Sequence, residues 1–179
     1  MSKIAILVGS PSSPSRTAYV AAHVGEQLAR AGHEVARVDV RDLPAEDLLR
    51  AHTSAPEIAR AVAAVEAADA VVVATPVYKA SFAGLLKVFL DLLPQSAFAG
   101  KSVLMLATGG ASAHVLAIDY ALRPVLMALG ATHVAPAWVI LEQGVVKSDA
   151  GYELTADAAS KLDEMTSRFA RVVSLGPLG

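Results

Sequence analysis

Two short runs of this chain contain no polar side chain, and they limit the fold more than any other feature. Ile4-Ala5-Ile6-Leu7-Val8 and Ala70-Val71-Val72-Val73-Ala74 are continuous apolar pentapeptides. Neither alternates, so each reads as a strand covered on both faces rather than one. Such strands belong to parallel sheets held between two helix layers.

The segments around them carry helical or strand spacing in alternation. Ser15 is placed to cap a helix running to about 31, with Val20, Val24, Leu28 and Ala31 on one face and Gly32 as its stop. Residues 35–40 alternate apolar and charged, as a strand nearer an edge does. Helices are expected over 55–67, from Ser81 to a stop at Pro94 (Leu85, Leu86, Phe89 and Leu93 inward), over 112–129 and over 156–173. Further strands fall at 103–107 and 134–141, and 142–152 reads as an exposed turn or hairpin. Five strands alternating with five helices give a flavodoxin-like, doubly wound parallel sheet of order 2-1-3-4-5. The expectation is one domain over 1–175 with a loose tail at 176–179.

Composition removes several classes of function. Fifteen basic and 17 acidic residues leave a net charge of −2, which excludes a broad phosphate-binding surface for nucleic acid and a polybasic membrane anchor. The chain has no cysteine, so disulfides, thiolate metal sites and a thiol nucleophile are ruled out, and no metal site is read from the remaining residues. The apolar fraction of 54% is high. Yet the longest stretches free of charge, 102–118 and 124–141, are broken by Gly109, Gly110, Gly130 and Pro136. Neither is a membrane span. Met1-Ser2-Lys3-Ile4 enters a strand directly, without a signal-peptide pattern, so a cytoplasmic location is expected.

In a sheet of this order ligands gather beyond the carboxyl ends of the strands, where the first and third strands diverge. Three loops lie there. Gly9-Ser10-Pro11-Ser12-Ser13-Pro14-Ser15-Arg16-Thr17 collects hydroxyls, a cation and a helix N-terminus, the chemistry of a phosphate site. An ordinary Ser/Pro-rich loop with a cap is the plainer alternative. It matches neither G-x-G-x-x-G nor a Walker loop, so a lone phosphate suits it better than a pyrophosphate. Thr75-Pro76-Val77-Tyr78-Lys79-Ala80-Ser81 reads as a loop offering flat apolar surface to a ring, or as a tight turn over the helix behind it. Thr108-Gly109-Gly110-Ala111-Ser112 is a flexible turn that could admit a ligand edge. Together the loops suit a mononucleotide with a planar head.

These residues resemble the NADPH-dependent FMN reductase family, and most of all its alkanesulfonate-assimilation members. The resemblance is carried by Gly9-Ser10-Pro11 with Ser15-Arg16, by Ala74-Thr75-Pro76-Val77-Tyr78-Lys79-Ala80 and by Leu85-Lys87-Leu90-Asp91-Leu92-Leu93-Pro94. It is carried also by Leu106-Ala107-Thr108-Gly109-Gly110, Ala113-His114 and Asp119-Tyr120-Ala121-Leu122 with Pro124-Val125-Leu126. It implies that Ser10, Ser15, Arg16 and Thr17 hold the FMN phosphate. Pro76, Val77, Tyr78 and Lys79 would then flank the isoalloxazine, and Thr108, Gly109 and Gly110 its pyrimidine edge. Where the family often carries an arginine in the phosphate loop this chain has Ser12, leaving Arg16 as that loop's cation. Hydride would pass from NADPH to the flavin without an obligatory protein acid or base, so no catalytic residue is assigned.

The helix after Gly110 carries an apolar stripe, Val115, Ile118, Leu122, Leu126 and Leu129, interrupted by Asp119-Tyr120 and by an internal Pro124. A proline kink with Tyr120 half-buried is one reading. The resemblance implies instead a π-bulge at Tyr120, in a tetramer interface near the flavin and linked to flavin release. It also implies a homotetramer or homodimer and a flavin-dependent monooxygenase as partner. His114 reads as a ligand contact or as a helix-start histidine bonded to a loop carbonyl. The competing functions are an FMN-retaining quinone or azo reductase and a flavodoxin-type electron carrier, although carriers tend to be markedly more acidic.

Overall fold

The computed structural model describes residues 1–149 and 151–176; of the expected tail, 177–179 lie outside the described residues. The two apolar pentapeptides become the centre of the sheet. β1 (Lys3–Val8) pairs in parallel with β2 (Glu34–Asp39) on one side and with β3 (Ala70–Tyr78) on the other. β3 pairs with β5 (Ser102–Gly109), which pairs outward with two short strands, β6 (His133–Val134) and β7 (Trp138–Leu141). The path β2-β1-β3-β5-β6/β7 has the expected order, but seven strands rather than five. One extra strand comes from the break at Ala135-Pro136-Ala137, which splits the outer strand. The other is β4 (Ser81–Phe82), a hairpin partner of β3.

Alternate residues of the central strands feed two cores. Ala5, Leu7, Val71, Val73, Val103 and Met105 face α3 (Pro56–Glu66), α4 (Gly84–Leu90) and α5 (His114–Ala128). Ile4, Ile6, Val72, Ala74, Leu104 and Leu106 face α1 (Arg16–Arg30) and α6 (Ala156–Leu175). Both faces are covered, so a polar side chain in either pentapeptide would be stranded without a partner. No described helix is long and apolar enough to cross a membrane.

Several local expectations are corrected. Residues 75–78 form strand rather than loop, and Ser81 belongs to β4, so α4 begins at Gly84 and ends at Leu90. Thr108 and Gly109 end β5 rather than forming a turn. A short helix, α2 (Ala45–Leu49), precedes α3. The 142–152 segment forms a hairpin of β8 (Val145–Ser148) and β9 (Gly151–Leu154). α5 is α-helical throughout, without a π turn, and Pro124 lies inside it on the exposed side. Pro124 cannot donate to the Tyr120 carbonyl there, and on the exposed side that lost bond is the least costly.

Lys101 holds the end of the sheet opposite the loops described above. It is buried, and its Nζ donates to the carbonyls of Val65 (2.9 Å), Glu66 (2.7 Å) and Ala68 (2.5 Å). The ammonium thus closes the carbonyl end of α3, where a cation also suits the helix dipole. Burial pushes its pKa below the ordinary lysine value, against Asp69 and Glu66, which raise it. In the window between the two values the unfolded chain binds the extra proton. Stability therefore rises as pH climbs through that window. Lys101→Met should cost about 1–3 kcal/mol of stability by leaving buried acceptors unpaired, and urea titrations across alkaline pH should show the rise in wild type only.

Candidate functional site

The common register of the central strands builds the site. Val8, Ala74 and Leu106 stand in one row, and Pro76 is paired with Thr108 two residues further on. β1 has already left the sheet at that level, since the Gly9 N–H donates to the Ala74 carbonyl (2.8 Å) and pairing then stops. Pro76 has the same parity as Ala74 and faces the same side, past the end of β1. Its missing N–H costs no ladder bond there. The step left by the shorter β1 is the floor of the crevice.

Thr75 braces this end of β3. Fully buried, its Oγ1 donates to the Pro76 carbonyl (2.9 Å) and accepts from the Ala83 N–H (2.9 Å), tying β3 to the start of α4. Between these ties the chain turns through Lys79 and Ala80, at φ 50° and 61°. Left-handed φ at both positions is what a two-residue type I′ hairpin requires, and neither residue is glycine. The hairpin carries Tyr78, 44% exposed, to the rim.

Beneath the first loop lies a set of buried hydroxyls. The Ser15 Oγ donates to Ser10 Oγ (2.7 Å) and accepts from the Ala18 N–H (3.1 Å), so Ser15 caps α1 as its sequence position indicates. Thr17 and Thr108 share a 2.6 Å hydroxyl bond that joins α1 to the end of β5. Helix geometry leaves the N–H groups of Arg16 and Thr17 without intrahelical acceptors. Across the crevice the Tyr78 hydroxyl meets Ser12 Oγ at 3.1 Å.

The two arginines nearest this loop divide differently from the sequence expectation. The Arg16 guanidinium is turned to the β8–β9 hairpin: its Nε donates to the Val145 carbonyl (3.1 Å), and its Cζ lies 5.4 Å from the Tyr152 ring centroid. The guanidinium that does reach the loop is that of Arg41, whose Nη1 donates to the Ser12 carbonyl. Sequence reasoning passed over Arg41. The available signal was strand order, because Asp39 is in register with Val8 and Arg41 follows two residues later.

The third loop is shaped by a close approach. A Cβ on Gly109 would lie 2.5 Å from His114 Nδ1, so the imidazole packs on the backbone here. That nitrogen is buried without a hydrogen-bond partner, which corrects the expected bond to a loop carbonyl. Gly110 is exposed, and nothing would obstruct a Cβ there. Tyr120 is 80% exposed, not half-buried, and it aligns with Leu116 (56%), Pro124 and Met127 (60%) along the outer side of α5. Two cavities of about 380 and 460 Å³ flank the outer strand around Trp138. Neither includes Ser10, Pro76 or Gly109, although Ser112 at the end of the third loop lines the second.

The family model of NADPH-dependent FMN reductases matches residues 2–145 of this chain. An FMN reductase (NADPH) of Pseudomonas putida is 52% identical over 69% of the chain, and the match spans 62% of that relative's own length. An FMN reductase (NADPH) of Escherichia coli is 38% identical, covering 93% of this chain and 87% of the relative. Among solved structures, the apo form of an NADH:FMN oxidoreductase (EMOB) superposes with a TM-score of 0.86 at 42% identity, over 96% of this chain and 90% of that one.

Gly9 sets how closely α4 approaches the first loop, because a Cβ there would lie 2.4 Å from the Leu86 Cβ. Gly9→Ala should therefore lower stability by about 1–3 kcal/mol through overpacking, read as a lower midpoint in thermal unfolding.

Proposed function

The chain belongs to the NADPH-dependent FMN reductase family, and on that premise we propose that it reduces FMN as a diffusible substrate and hands the reduced flavin to a separate monooxygenase, in sulfonate sulfur assimilation. FMN and NADPH are the reactants this family is named for. The observation that carries the proposal is the exposure of the crevice rim. Tyr78, Lys79 and Gly110 are exposed at its rim, and the hydroxyls lie beneath it rather than around it. A ligand laid on such a surface can leave in every turnover.

The residues present fit FMN. A terminal phosphate would find the N–H groups of Arg16 and Thr17 at the positive end of α1 and the hydroxyl of Ser10, which Ser15 holds in place, while Thr17 is tied to Thr108 beneath. Arg16 serves here through its backbone, its side chain being engaged with Val145 and Tyr152. Pro76 and Tyr78, on one face of β3, would give apolar surface for the isoalloxazine, with Val77 and Lys79 contributing the backbone between and beyond them. Thr108, Gly109 and Gly110 give backbone for its polar edge, since the Thr108 hydroxyl is taken by Thr17. The orphaned His114 Nδ1 behind Gly109 is a further polar atom at that edge.

When bound, FMN supplies the hydride-accepting chemistry, and the protein's task is orientation. The residues that would hold the ring are those of the β3–β4 hairpin and the end of β5, and their part would be to orient it for hydride transfer. No side chain in the crevice is needed as acid or base. The apolar outer side of α5, with Leu116, Tyr120 and Met127, supports a homotetramer or homodimer assembled next to the crevice.

Flavin-stripped protein should oxidise NADPH at a rate that saturates with FMN well above enzyme concentration. Tight FMN retention with no turnover until a quinone, azo or protein acceptor is added would overturn the substrate role. Tyr120→Ala should shift the assembly to smaller species in sedimentation and leave more flavin on the protein after gel filtration. Unchanged assembly and flavin content would remove Tyr120 from both roles.

A further inference from the structure

We infer that Arg41 supplies the fixed positive charge of the phosphate site, and through it the chain's preference for a phosphorylated flavin over the unphosphorylated one. The inference rests on the flavin reading above and adds a residue from outside the loop that reading uses.

Three observations carry it. The first is the commitment of the two other arginines near the loop. Arg16 is turned to Val145 and Tyr152, and Arg37 is held by both carboxylate oxygens of Asp39, at 2.6 and 2.8 Å. Apart from Lys79 at the tip of the hairpin, a dianionic phosphate over Ser10–Arg16 would otherwise meet hydroxyls and helix N–H groups. Hydrogen bonds from a charged donor are markedly stronger than those from neutral ones.

The second is where Arg41 stands. It follows β2, whose end lies beside the end of β1, and it reaches the loop from the side opposite β3. Its side chain is 26% exposed, so its field toward the loop is only partly screened by water. The nearest carboxylate, that of Asp42, lies 3.6 Å from Nε but is 70% exposed. An acidic partner so well hydrated cancels little of the guanidinium's charge.

The third is the orientation that Arg41 imposes. The Ser12–Ser13 peptide is trans, and in a trans amide the carbonyl and the N–H point in opposite directions. Arg41 draws the Ser12 carbonyl toward the β2 side. The Ser13 N–H is thereby presented to the side of β3, where Pro76 and Tyr78 border the crevice. Arg41 thus turns a repelling carbonyl away from an anion there, and it sets a positive charge behind the Ser12–Ser13 peptide. Ser12 itself is pinned from the other side by Tyr78, so the loop is held at one residue between β2 and the β3–β4 hairpin.

The test compares FMN with riboflavin, which lacks the phosphate, by equilibrium quenching of flavin fluorescence on wild type, Arg41→Gln and Arg41→Lys. Glutamine keeps a donor for the Ser12 carbonyl but removes the charge, and lysine keeps the charge. Arg41→Gln should weaken FMN about tenfold or more and leave riboflavin unchanged. Arg41→Lys should stay within about threefold of wild type for both flavins. Unchanged FMN affinity in Arg41→Gln, or equal weakening of both flavins, overturns the inference. Should Arg41→Gln fail to fold, wild-type FMN affinity that does not fall with added salt overturns it as well. A wild-type chain that binds both flavins equally well refutes the role of Arg41 while leaving the flavin reading intact. One that binds neither flavin overturns that reading and this inference together.

Discussion

The shared register of β1, β3 and β5, together with their unequal lengths, is the constraint from which the crevice follows. All three strands run through the row of Val8, Ala74 and Leu106, but only β3 and β5 continue. A sheet with one short central strand must open a step at that point. The polar ends of its neighbours can then be satisfied only by side chains, by backbone turning back, or by a ligand. Here Thr75, Thr108, Ser10 and Ser15 fill the lower part of the step with hydroxyls bonded to backbone and to one another. Its upper part is left to the helix N-terminus of α1.

How much of this was legible depends on whether the signal was local. The two central strands, the Ser15 cap and the first loop could be read because burial on both faces, capping and strand order leave marks within a few residues. The β3–β4 hairpin could not. Pro76 looks like a strand terminator, and it is one wherever its N–H side faces a neighbour; only the early end of β1 makes it harmless. Lys79-Ala80 hides the turn as well, since neither residue advertises positive φ as glycine or asparagine would. The split of the outer strand at Pro136 was visible as a residue but not as a break, because β6 and β7 both still pair with β5.

The exchange of Arg16 for Arg41 as the guanidinium that reaches the first loop has the same origin. Chain adjacency favours Arg16, but the first residue of a helix can direct its side chain outward, and here the β8–β9 hairpin receives it through a carbonyl and an aromatic face. Arg41 is 29 residues from Ser12, brought near by parallel pairing alone. Nothing in a single sequence distinguishes a strand-end arginine that reaches across from one that stays in water. Strand order narrows the choice and side-chain geometry makes it.

The hairpin tip also links the crevice to the outer surface of the molecule. Two non-glycine residues at positive φ store strain, about 1–2 kcal/mol each, which the structure around them must hold. Thr75 holds the tip from below, and α5, packed against β4, holds it from the side. α5 begins at His114, whose ring rests on Gly109, and its outer side presents Leu116, Tyr120 and Met127. One helix therefore touches the hairpin that carries Tyr78, the backbone of the third loop and any partner that covers the apolar stripe. A partner seated on that stripe would lie against the helix that flanks the crevice on both sides, with Pro124 the one point along α5 where a lost backbone hydrogen bond lets it bend.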